Sequence, residues 1–144
     1  MTHEQQHGPQ SLLRAGCDIL DPVLKPLGFR FTPENAGMGS GGPFASGTYS
    51  RGDRSLELHF RHSLGLVNYH IGDSALDHET YIRLLGVRDK CSYPDFPKMP
   101  LDSFRSLAND LKQYCSDFLT GAGDQFHHLS ISSKTEKRGF ERLL

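Results

Sequence analysis

Between residues 44 and 71 apolar and polar side chains alternate through three successive runs, and this alternation constrains the fold more than any other feature of the chain. A period of two marks a strand with one buried face and one wet face. The runs 44–51, 54–62 and 66–71 are separated by Gly52-Asp53 and by Leu64-Gly65. Glycine in first place suits Gly52-Asp53 to a type II′ hairpin turn, and Gly65 is free to take positive φ. With both loops set at two residues the register follows. Tyr49 then faces Leu56, Leu58 faces Ile71, Phe60 faces Tyr69 and His62 faces Val67, nearly all apolar. Ser46, Thr48, Glu57, His59, Arg61, Asn68 and His70 fall on the other face, and nearly all are polar.

Outside the ribbon the period becomes helical. Ser11 can cap a helix whose Leu13, Cys17, Leu20, Leu24 and Leu27 form one stripe; Asp21-Pro22 predicts a kink or restart, and Pro26 and Gly28 an end. Residues 28–31 read as a short extended segment and the Gly-rich stretch 35–42 as a loop. Ser74 or Asp77 caps a second helix running to about Leu85, stopped by Gly86. After a connection over 87–100, a third helix spans about 101–120 with Phe104, Leu107, Leu111, Cys115 and Phe118 on one face. The order α-β-β-β-β-α-α predicts an α+β two-layer sandwich: an antiparallel sheet of about four strands, helices on one face, the other face open. Residues 1–9 read as a flexible start, 10–121 as a single domain, and 122–144 as an extension that is partly helical or disordered.

Composition narrows the function classes. A formal charge of −1 over 144 residues lacks the basic excess of a general nucleic-acid binder. Cys17, Cys91 and Cys115 are odd in number and form no CxxC pair, which fits free thiols in a reducing cytoplasm. Residues 1–10 show no signal-peptide pattern, and no apolar run approaches the roughly 20 residues that span a bilayer. Eight histidines are the one compositional oddity, and mild acid would swing the charge positive.

Several motifs fail the context their chemistry needs. Gly37-Met38-Gly39-Ser40-Gly41-Gly42 matches G-x-G-x-x-G, but a β-pattern follows where a phosphate-binding helix should start. His78-Glu79-Thr80-Tyr81-Ile82 opens like H-E-x-x-H, yet Ile82 stands in place of the second ligand, so these residues read as a solvated first turn. Arg51-Gly52-Asp53 is accounted for by turn geometry. His127-His128 beside Asp124 is too local to make a metal site alone, and the basic residues Lys134, Lys137, Arg138 and Arg142 suit a solvated tail. Cys17 and Cys115 lie on apolar stripes and read as core.

Two surfaces remain. On the open sheet face the register sets His59 opposite His70, with Glu57, Arg61 and Asn68 alongside, near enough to share a metal or relay a proton. In 93–100, prolines at 94, 97 and 100 give the three-residue period of polyproline II, with Tyr93, Phe96 and Met99 along one edge that either packs onto the domain as a rigid strap, the first reading, or is offered to another protein. The general form is similar to many small bacterial accessory and immunity-type proteins. The expectation is a small non-enzymatic cytoplasmic protein-binding domain without cofactor or bound metal, acting neither on nucleic acid nor at a membrane. Its partner is another protein or a second copy. It would use the open sheet face, the Gly-rich loop or the Pro-rich strap, through Glu57, His59, Arg61, Asn68, His70, Tyr93 and Phe96. The alternative is a small enzyme or metal-dependent binder built on His59, His70 and Glu57.

Overall fold

A computed structural model describes residues 8–40, 42–93 and 99–143. Helix α1 (Pro9–Leu24) leads through a 3-10 turn (Lys25–Leu27) into five strands: β1 (Arg30–Gly39), β2 (Gly42–Arg51), β3 (Arg54–Phe60), β4 (Leu64–Ile71) and β5 (Ser74–Asp77). Helices α2 (His78–Leu84), α3 (Asp102–Tyr114), α4 (Ser116–Leu119) and α5 (Asp124–Leu143) follow. Each strand pairs antiparallel with its neighbour in sequence, an α+β meander with helices on its apolar face.

The first hairpin has the expected register. Tyr49 lies opposite Leu56 and Arg51 opposite Arg54, and Gly52 takes φ +59° while Asp53 stays negative, the sign pattern of a II′ turn. The second hairpin differs. Leu58 pairs with Val67 rather than Ile71, Leu56 with Tyr69, and Phe60 with Leu64. The chain turns earlier than Leu64-Gly65, through 61–63, where Arg61 N–H donates to Ser63 O. A register irregularity follows at Gly65 and Leu66, both solvent-facing. The displacement from Ile71 to Val67 is an even number of residues, so Leu56, Leu58, Phe60, Val67 and Tyr69 keep the apolar face, while His62, expected there, falls in the turn and is exposed.

One strand runs longer than expected and a fifth was hidden. Residues 35–39 continue β1 and Gly42 begins β2, with Ala36 opposite Ala45 and Gly39 opposite Gly42, where a loop was expected over 35–42. Pairing with β2 satisfies the backbone and overrides the low strand preference of glycine. Gly39 has a specific reason: a Cβ there would stand 2.9 Å from Arg61 Nη2. The sheet has five strands rather than four because Ser74, one of two proposed caps, begins β5; Asp77 is the cap, accepting from Thr80 N–H at 2.7 Å.

Helix α1 starts at Pro9 with Gly8 as N-cap, so Ser11 is not the cap. It runs through Pro22 without a restart because Asp21 does not cap a new helix: its carboxylate accepts from Tyr49 Oη at 2.7 Å. The third helix breaks into α3 and α4 at Cys115, yet Phe104, Leu107, Leu111, Cys115 and Phe118 are all fully buried as their spacing predicts. Phe60 stacks on Phe104, and Tyr69 meets Phe118 edge-on at 4.9 Å. Residues 124–143 form one helix whose Phe126 joins the same core. Arg83 of α2 and Glu136 of α5 form a two-point pair at the surface.

Two arginines at the β2–β3 turn close chain ends. Arg51 Nη1 donates to Leu27 O at 2.7 Å and its guanidinium covers the Phe29 ring at 4.6 Å. Arg54 donates to Asp117 O, Phe118 O and Gly121 O, satisfying carbonyls that α4 leaves without partners. The Arg51-Gly52-Asp53 tripeptide is thus a structural corner whose arginine is folded inward.

Candidate functional site

The alternation of β2–β4 leaves one face without a packed core. Glu57 lies opposite Asn68, while His70 lies opposite Ser55. Glu57 reaches diagonally to His70, its Oε1 bonded to Nε2, with both side chains part-exposed. Asp77, Thr80, Ser133 and Lys137 complete a polar groove of about 230 Å³ around this pair. The open face is therefore walled on one side by α5.

His59 belongs elsewhere on that face. It sits opposite Ser46 and stacks on Phe44, ring centroids 5.3 Å apart and planes 9° from parallel. His70 is level with Ser55, four residues from His59, or about 13 Å along a strand. The expected His59–His70 pair does not form, because the second hairpin turns early. Among the described residues no group of three or more His, Cys, Asp or Glu side chains is placed to hold a metal ion. Arg61 ends the strand beside Gly39, half-buried, its Nε without a hydrogen-bond partner among the described residues. Leu66, in the irregularity of β4 across from His59, is 65% exposed.

Tyr93 is core, not an exposed aromatic edge: it is 5% exposed and its hydroxyl donates to Leu64 O and Gly65 O. Phe96 and the prolines at 94 and 97 lie outside the described residues. Tyr93 also belongs to a buried network that the sequence reading missed. His78, read as solvated, is 4% exposed; its Nδ1 meets Tyr69 Oη at 2.6 Å and its Nε2 meets Asp110 Oδ2 at 3.1 Å. Asp110 is fully buried and accepts from Ser92 N–H at 2.7 Å and Tyr93 N–H at 2.8 Å. Both imidazole nitrogens are thus engaged, which leaves neither to take a proton from a ligand. A Tyr-His-Asp chain that could suggest catalysis serves as a clasp joining β4, α2, α3 and the connection after α2. The legible sign was Asp110 itself, three residues after Leu107 on the buried stripe.

The thiols hold their protons at neutral pH. Burial pushes Cys17 and Cys115 up to about 12 and Cys91 up to about 11. No helix among the described residues is long and apolar enough to cross a membrane.

Fold and site together define a two-layer α+β protein whose second sheet face carries polar and aromatic side chains, with no helix among the described residues packed over its centre. Comparison with protein-family models, with curated proteins and with solved structures gives no match.

Proposed function

We propose that this chain is a non-enzymatic cytoplasmic binding protein that recognises another protein through its outer sheet face. The observation that carries the reading is the cluster of Phe44 stacked on His59, Arg61 beside them with a buried, unpartnered Nε, and the exposed Leu66. Aromatic and arginine side chains gathered at one place are what protein interfaces concentrate. The Glu57–His70 pair and Asn68 supply a polar rim next to it. The glycine hairpin tip contributes indirectly, since Gly39 makes the space that Arg61 occupies. Three free cysteines, two of them buried, support a reducing compartment.

The test compares three tagged chains purified from native cells: wild type, Arg61→Ala and Leu66→Asp. A stoichiometric partner is expected with wild type, and both variants, melting as wild type does, should lose it. Recovery of the same partner by all three would refute the outer face as the interface.

A further inference from the structure

The two edges of the sheet are finished differently. At β5, Ser130 Oγ of α5 accepts from Ala75 N–H at 3.2 Å and donates to Ala75 O at 3.3 Å. The helix thus occupies backbone groups that an edge strand otherwise exposes. At β1, no backbone group of residues 30–39 bonds to anything but β2 among the described residues. Residues 32–38 are all exposed, and Met38 is 76% exposed.

Beside this bare edge, on the side of the sheet away from the outer face, lies a pocket of about 150 Å³. Leu13 and Cys17 of α1, Phe31, Pro33 and Ala36 of β1, and Ala45 of β2 make it mainly apolar. An apolar space of that volume holds a group about the size of benzene. Its charged lining comes from Arg14 of α1 and from Glu34 at the sheet edge. Glu34 already accepts from Thr48 Oγ1 at 2.5 Å, whereas Arg14 is exposed and makes no ion pair among the described residues. The charge left open there is a guanidinium.

We propose that an extended segment of a partner protein binds here as a sixth strand along β1. One aromatic or branched apolar side chain fills the pocket, and a carboxylate two residues away on the same face meets Arg14. Strand addition draws affinity from main-chain bonds and specificity from a pocket for alternate side chains, and a helix flanking an edge strand supplies both. Pro33 removes one edge donor, and the register shift between Pro33 and Ala36 interrupts the row. These breaks confine the edge to one short segment and oppose open-ended stacking of chains. The pocket lining includes none of Phe44, His59, Arg61 and Leu66, so either site can fail without the other.

The probe is the blocked peptide acetyl-Thr-Phe-Val-Asp-Val-amide, titrated to millimolar concentration into the full chain labelled with nitrogen-15. Saturable amide shifts are expected in residues 10–17, 31–39 and 42–46, with slowed hydrogen exchange along 31–39. Ala36→Phe, which plugs the pocket from an exposed position, should abolish binding. Arg14→Glu should weaken it about fivefold, as should high salt. Matching melting temperatures confirm that both variants are folded. The proposal is overturned by an absence of saturable shifts or by full binding to Ala36→Phe. It also fails if the free chain is a dimer paired through β1, or if the peptide binds only after residues 1–7 are removed, since then a second copy or the chain itself is the occupant.

Discussion

Asp110 shows how much one buried side chain can organise. Its carboxylate holds His78 and two backbone N–H groups from the connection after α2, all away from water. Removing one partner of a buried charged cluster leaves the others unsatisfied. Asp110→Ala should therefore cost about 3–5 kcal/mol in urea unfolding. A loss below about 1 kcal/mol would mean that water replaces the carboxylate without difficulty. His78→Phe keeps the stacking on Tyr69 and Tyr93 but leaves the Tyr69 hydroxyl with only Cys115 Sγ at 3.8 Å and Asp110 Oδ2 with only Tyr93 N–H. Its expected cost is smaller, about 2 kcal/mol by the same measurement. The sequence makes Asp110 visible, since an acid at helical spacing from Leu107 and Leu111 sits where apolar residues belong. It hides His78, because the first turn of a capped helix is usually wet and only the return of α3 over that turn buries it.

Among the elements, α1 and α3 cross where Gly16 meets Phe104. A Cβ at Gly16 would lie 2.4 Å from Phe104 Cζ, so the helices approach only because that side chain is missing. Gly16→Ala should lower stability by about 1–3 kcal/mol as the ring is displaced, read as a fall in the urea midpoint with unchanged slope. Ser130→Ala, at the guarded edge, leaves Ala75 N–H bare and should accelerate exchange of that amide well above its neighbours. Stripes and strand faces were readable from the sequence because burial imposes a period, and the period survives a change of partner. Pairing was not. The first hairpin follows from Gly52, whose turn type fixes the loop at two residues, but the second rests on a short N–H bond inside 61–63 that no residue type announces. That difference separated His59 from His70 and removed the metal reading while leaving both on the outer face.

For the molecule as a whole, burial of ionisable groups sets a pH limit. Cys17 and Cys115 move from their ordinary 9.0 up to about 12 on folding, chiefly through loss of solvent, and the buried Tyr69 hydroxyl is raised as well. The unfolded chain sheds these protons first. Stability is therefore complete below pH 9 and declines as pH rises toward 12. Melting temperature should be flat with respect to these groups up to pH 9 and fall beyond it, and Cys17→Ala with Cys115→Ala should shallow the fall. The fold class was legible at this scale because it needs only the sum of faces and periods. The candidate surfaces were less so: the outer face could be read, but the pocket between α1 and β1 depends on a hairpin hidden in glycines. The closing of one sheet edge from α5 also carries a consequence for synthesis. Ser130 follows the strand it covers by 55 residues, about 3–11 s of translation at ordinary rates. Through that interval the nascent sheet has two sticky borders instead of one, which makes this the time when the chain most needs a chaperone.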